Sequence, residues 1–283
     1  MGKRIGLRGI VGLLWLGFLA GGAWAHFLIA VPPEGQGYGL RGQVINIWVL
    51  FGHPFEGILY DLKAPKGFML KPEGQKDRLS FSRIEVKDYA SGRKRFGYRI
   101  EYLPTARGDY YLCLQSQPYL NQEEGEVWED RMKTPLHVQV EKGWQNLCGF
   151  ELEIQPLSRP YGLRVGQVFR GRVLLNGKPL PGAQLEVEKL NGFYVPEEKL
   201  PLDAYGRVNE PLITFVLKTD KEGFFEVGFP EGGWWVVNVA VPAGKAPYAN
   251  RTFPRMLRSG IWLYVFETPA LAPTGFPLFR EVR

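Results

Sequence analysis

The sequence predicts an all-β fold, arranged as two consecutive β-sandwich domains behind a cleaved signal peptide. Three observations predict it. Apolar residues at helical spacing are scarce in a chain of 283 residues that carries 35 Gly and 22 Pro. Short segments rich in β-branched and aromatic residues recur along the chain. Turn chemistry separates many of them, as at Asn176-Gly177, Asp220-Lys221-Glu222-Gly223 and Glu231-Gly232-Gly233. Many short strands with regular turn signals belong to packed sheets, of the immunoglobulin-like or transthyretin-like kind.

Residues 2–8 carry Lys3, Arg4 and Arg8 and no acid, residues 9–20 (GIVGLLWLGFLA) are apolar, and Ala23-Trp24-Ala25 follows. That order reads as a secretory signal peptide, residues 1–25. The apolar run is short beside the roughly 20 residues of a membrane span, which makes a retained anchor the weaker reading. The expected location is therefore periplasmic or otherwise extracytoplasmic, with His26 as the first residue of the mature protein.

The N-terminal domain is expected over residues 26–157. Its strands are placed at 27–31, 43–51, 98–103, 109–116, 136–141 and 150–157; the last, FELEIQPL, alternates apolar and polar residues as a half-buried strand does. Residues 119–134 (YLNQEEGEVWEDRMKT) have no clear period and many acids, and read as a long surface loop. Two prolines in PLSRPYG, 156–162, interrupt the pattern and mark a boundary. A second domain, 158–268, has strands expected at 167–175, 183–190, 213–220, 223–229, 234–241 and 261–267. Its LNGKPLPGAQLEVE and KTDKEGFFEV segments read like a small carboxypeptidase-regulatory-like sandwich. Residues 269–283 read as a tail, Pro-rich at the start and basic at the end.

The formal charge of +6 comes from 35 Lys and Arg against 29 Asp and Glu, and three of the basic residues leave with the leader, so the mature excess is +3. No dense basic block with interleaved aromatics exists, which argues against nucleic acid as a partner. The two cysteines, Cys113 and Cys148, are either a disulfide formed on export or two buried thiols, and no Cys-x-x-Cys is present. The sequence also lacks a Gly-x-Ser-x-Gly elbow, a His-Glu-x-x-His helix and a phosphate-cradling Gly loop. No catalytic residue and no small-molecule substrate are predicted; a binding protein is expected in place of an enzyme.

Three histidines exist, His26, His53 and His137. A chain that begins at a histidine has a chelating donor set that no internal histidine has: the α-amine, which titrates near pKa ~8 in the reference state, and the imidazole of the same residue. If 27–31 and 43–51 pair antiparallel, the start of the first lies beside the end of the second, which brings His53 to the same end of one sheet. Glu56, three residues after His53, is a candidate oxygen ligand or an acceptor for an imidazole N–H. Nitrogen donors with one carboxylate suit nickel, copper or zinc better than magnesium or calcium. His137 alternates with Leu136 and Val138 and reads as a solvent-facing strand histidine.

AHFLIAVPP after a leader, FGHPFEG, the stretch PLSRPYGLRVGQVFRGRVLLNGKPLPGAQLEVE, then TDKEGFFEV and GGWW resemble an exported bacterial family catalogued as a domain of unknown function. That family is described as the periplasmic accessory component of nickel/cobalt uptake systems of the energy-coupling-factor (ECF) type. The resemblance implies a protein that binds Ni(II) or Co(II) as cargo and presents it to an inner-membrane ECF-type transporter. His26 and His53 match the family pattern. Ile58 and Leu59 stand where a further histidine or polar residue is expected, which leaves Glu56 or the acidic segment 122–130 to complete the site. The competing class is a Cu(II) site in which amine, His26 and His53 form a histidine brace, in a copper carrier or in an enzyme like the lytic polysaccharide oxygenases.

Overall fold

Alternation sets the first strands. In Ile45–His53 the side chains of Ile45, Ile47 and Val49 are buried while Asn46 and Trp48 are exposed, the signature of a strand with one face on a core. The computed structural model describes residues 26–122 and 124–267; the expected leader, 1–25, and tail, 269–283, lie outside the described residues.

The expected all-β class is what the chain adopts. Among the described residues the helical elements are three 3-10 turns of three residues each, and every other regular element is a strand. A first sheet runs Phe27–Val31, Ile45–His53, Lys94–Tyr102, Ser82–Lys87, with Ile58–Leu59 added beside the end of Ile45–His53. A large sheet runs Thr214–Lys218, Gln184–Leu190, Gly233–Tyr248, Arg251–Phe266, Glu126–Val138, Gly108–Gln115, Lys66–Leu70, Lys76–Arg78. A third, small sheet holds Leu152–Pro156, Val168–Leu175, Lys178–Pro179 and Phe224–Gly228.

The large sheet is the middle layer, and side-chain parity shows it. Along Gly108–Gln115, Tyr110, Leu112 and Leu114 pack with Phe27, Ile47 and Ile100 of the first sheet. Tyr111 and Cys113, one residue out of phase, pack with Leu152, Phe169 and Val173 of the third. A strand buried on both faces loses its polar alternation, which is why GDYYLCLQ reads as an almost continuous apolar run. Strands from both sides of residue 157 join in this layer. Glu126–Val138 lies parallel to Arg251–Phe266, with Val127 across from Arg255 and Lys133 across from Ile261.

Residues 119–134 depart from the expected loop: they form Tyr119–Asn121 and most of the long strand Glu126–Val138. The acids that suggested a solvated loop are paired. Asp130 Oδ1 accepts from Arg258 Nε at 2.7 Å, and Glu129 takes Arg255 and Arg131. The closing hairpin, Gly233–Tyr248 with Arg251–Phe266, is longer than expected because a register shift between Pro242 and Lys245 accommodates its prolines.

Cys113 and Cys148 form a disulfide, both buried, with Cα atoms 5.9 Å apart. Its partners are 35 residues apart in sequence. Beside it the buried Lys133 donates to Glu153 at 2.8 Å, and Glu153 also takes the backbone N–H groups of Cys148, Gly149 and Phe150. A loop of that length restricts the unfolded chain enough to contribute about 3–4 kcal/mol in the chain-entropy treatment. Cys113→Ser/Cys148→Ser is expected to lose that much stability, read from urea unfolding midpoints against the oxidised protein; no shift would mean the Lys133–Glu153 network holds this corner unaided.

Candidate metal centre

Phe27–Val31 pairs antiparallel with Ile45–His53, and the ladder runs from Val31 across from Trp48 to Phe27 across from Gly52. Continued by one residue, that register sets His26 opposite His53. Cross-strand neighbours project from the same face of a sheet. The two imidazole centroids lie 4.3 Å apart with the rings tilted by 54°. Tyr60 stands edge-on to His26 at 4.9 Å and 5.7 Å from His53, and Phe51 lies nearly parallel to His26 at 5.9 Å. His53 is buried, 3% exposed, and His26 beside it is half-buried.

The His53–Gly57 box is a tight turn with a physical part for each residue. Gly57 N–H donates to the His53 carbonyl at 2.9 Å and closes it. The turn leads directly into Ile58–Leu59, which pairs back on Gly52 and His53. A side chain at Gly52 would place its Cβ 1.9 Å from the Ile58 carbonyl oxygen, so only glycine lets this return strand approach. At Gly57, φ is +70° and a Cβ would meet the Phe193 carbonyl at 2.3 Å. The turn is docked on the C-terminal half of the chain. Phe55 N–H donates to Glu188 Oε1 at 3.0 Å, Asn191 donates to the Pro54 and Phe55 carbonyls, and Val195 N–H to the Glu56 carbonyl.

Glu56 Oε2 lies 4.0 Å from His53 Nδ1, beyond direct hydrogen-bond reach. Burial pushes its carboxyl above the usual range, and Glu210 adds to this. Burial lowers both imidazoles: His26 to about 4, with help from the Arg258 charge, and His53 to about 3, with help from His26 and Arg258. Both rings are thus neutral at physiological pH and keep a lone pair for a Lewis acid. Arg258 fixes the backbone here. Its Nη2 donates to the His26 carbonyl and, at 2.6 Å, to the Tyr119 hydroxyl, while its Nε is held by Asp130.

The geometry brings His26 beside His53, and Glu56 within 4.0 Å of His53. Among the described residues no group of three or more His, Cys, Asp or Glu side chains is arranged to hold a metal ion. Within 122–130, Asp130 holds Arg258, which in turn donates to the His26 carbonyl. His137 is elsewhere, seven residues along its strand from Asp130, or on the order of 20 Å at the strand rise. Its ring is half-buried, with Nδ1 2.6 Å from the buried Asp109. Arg258 and Tyr60 carried no signal in the sequence, since nothing in PRMLRSG or ILYDL distinguishes a buried anchor from a surface residue.

The chain belongs to the DUF4198 family, a domain of unknown function whose model matches residues 23–243. No curated protein matches it. Among solved structures, trypsin-activated α2-macroglobulin from Escherichia coli is 16% identical at a TM-score of 0.26 over 85% of this chain, which spans 16% of that protein. A DUF4785 family protein from Legionella pneumophila is 11% identical, at a TM-score of 0.26 over 71% of this chain and 49% of its own. The adhesin InvE of Yersinia pseudotuberculosis is 11% identical, at a TM-score of 0.20 over 84% of this chain and 58% of its own.

Proposed function

We propose that the protein, with residues 1–25 removed, is an extracytoplasmic carrier that binds one Ni(II) or Co(II) ion and delivers it to an inner-membrane ECF-type transporter. The donors are the α-amine and imidazole of His26 and the imidazole of His53, with Glu56 as the adjacent carboxylate. The observation that carries this reading is the placement of two neutral, recessed imidazoles across one antiparallel pair, with the first of them at the expected mature N-terminus. Nitrogen-rich donor sets prefer late first-row divalent ions. The protein binds and hands on; it is not proposed as an enzyme.

The same donor set is the reason for a second reading, a Cu(II) site, since copper outcompetes nickel for most nitrogen sites. Processed protein, its first residue confirmed by mass, is expected to take up one ion per chain in calorimetric titrations with Ni(II), Co(II) and Cu(II). His53→Ala is expected to lower each affinity at least tenfold, about 1.4 kcal/mol, and His137→Ala to leave it unchanged. Retention of affinity in His53→Ala would sink the site. Peroxide-dependent oxidation of chitin or cellulose by the copper-loaded protein would move the assignment to the oxygenase class.

A further inference from the structure

A cleft of about 310 Å³ opens at the Val138 end of Glu126–Val138, lined by Tyr38, His137, Gln139, Glu141, Arg159 and Tyr161. That volume is at the small end of the ~300–1,000 Å³ typical of ligand pockets. His137 sits across from Asp109 in the sheet ladder. Asp109, 1% exposed, takes three donors: His137 Nδ1 at 2.6 Å on one oxygen, and the Lys142 backbone N–H at 2.7 Å and the Tyr161 hydroxyl at 3.3 Å on the other. A carboxylate in that position claims the Nδ1 proton and leaves the lone pair on Nε2, on the far side of the ring. Nε2 makes no hydrogen bond among the described residues. The ring is fixed by stacking on Tyr161 at 4.2 Å and by the edge of Tyr38 at 5.2 Å.

The rim has the same bias toward hydrogen bonding without net charge. Arg159 Nη1 and Glu141 Oε2 pair at 3.1 Å, and Glu141 Oε1 accepts from Trp144. Asp109 is already answered by its three donors, so no unpaired charge waits for an ion. Gln139 is held at φ +67°, with Val140 N–H bonded to the Val138 carbonyl at 2.8 Å, a γ-turn of the rare positive-φ kind. Its Oε1 accepts from the Arg41 N–H, which leaves its amide N–H₂ as the donor beside the cleft. Strained backbone of this sort persists where surrounding structure holds a side chain in place. Planar polar side chains beside tyrosines suit adjacent hydroxyls, which need a donor and an acceptor within a few ångströms, over an amphipathic ring.

We propose that this cleft binds a neutral polyhydroxylated ligand the size of one sugar ring. His137 Nε2 accepts from one hydroxyl, and the Glu141–Arg159 pair bridges two neighbouring ones. The inference is independent of the metal reading, because the cleft shares no residue with His26, His53 or Glu56.

The test is a set of NMR titrations of the processed protein with glucose, mannose and N-acetylglucosamine, and separately with acetate and with choline. At least one sugar is expected to give saturable shifts at Tyr38, His137 and Tyr161. His137→Phe, which keeps the ring stack and removes the lone pair, is expected to weaken that binding about tenfold, the loss of one good acceptor. Glu141→Gln, on the exposed rim, is expected to weaken it without touching the Asp109 network. The urea unfolding midpoint of each variant serves as the check that the fold is intact. The proposal is overturned by the absence of saturable shifts with every sugar, by sugar binding that His137→Phe leaves unchanged, or by acetate or choline occupying the cleft in place of sugars.

Discussion

Adding one residue ahead of His26 is expected to lower the affinity of the processed protein for Ni(II) or Co(II) at least tenfold, about 1.4 kcal/mol. The extension leaves every side chain in place. It converts the terminal amine, a strong donor once the metal displaces its proton, into an amide nitrogen whose lone pair is delocalised and whose proton is far harder to remove. The two imidazoles remain 4.3 Å apart and neutral, so any residual binding measures what they and Glu56 supply without the chelate ring. Chelation by one residue is also what makes the geometry economical, because amine and ring are already tethered and the order is largely prepaid by the chain. Titration of the extended and unextended proteins side by side reads the difference directly. Equal affinities would remove the amine from the ligand set and with it the special place of His26.

Arg258→Met is expected to destabilise the fold by about 3–5 kcal/mol, the range for stripping one partner from a buried ion pair. Arg258 and Asp130 are 3% and 1% exposed, and one Asp130 oxygen, Oδ2, already has no hydrogen-bond partner among the described residues. Removing the guanidinium leaves that carboxylate buried and uncompensated. Burial, more than the pairing, is what makes the loss large, so Arg258→Met/Asp130→Leu is expected to recover much of it. The same substitution frees the His26 carbonyl, which Arg258 Nη2 holds, and metal affinity should fall in Arg258→Met by more than in a variant of equal instability elsewhere, such as Cys113→Ser/Cys148→Ser. Denaturant midpoints together with Ni(II) titrations separate the two effects. An unchanged midpoint would show that the pair is solvated in the folded protein.

Strand content was legible because period-2 alternation and turn residues are local properties of the chain. Ile45–His53, Gly108–Gln115, Val168–Leu175 and Gln184–Leu190 lie within about two residues of where the pattern puts them. Glu126–Val138 was not, because its acids match a solvated loop until Arg255 and Arg258 are brought alongside. The candidate site was legible in part. Chain order and an antiparallel pairing bring the start of Phe27–Val31 and the end of Ile45–His53 together. The pairing of His137 with the buried Asp109 was not legible, since the sequence offers no sign that Asp109 lies across from it.

What the sequence by itself determined is a β chain with a histidine directly after an expected leader, and a second histidine and a glutamate in a turn built to close tightly. Tertiary structure alone decided that His26 faces His53, that one sheet joins both halves of the chain as a shared middle layer, and that Arg258 anchors the terminus to Asp130, 128 residues away in sequence. The reason is physical. An alternating pattern is unchanged by a two-residue slip, so register comes from packing; and a buried charge is stable only beside a partner that folding, not chain proximity, supplies.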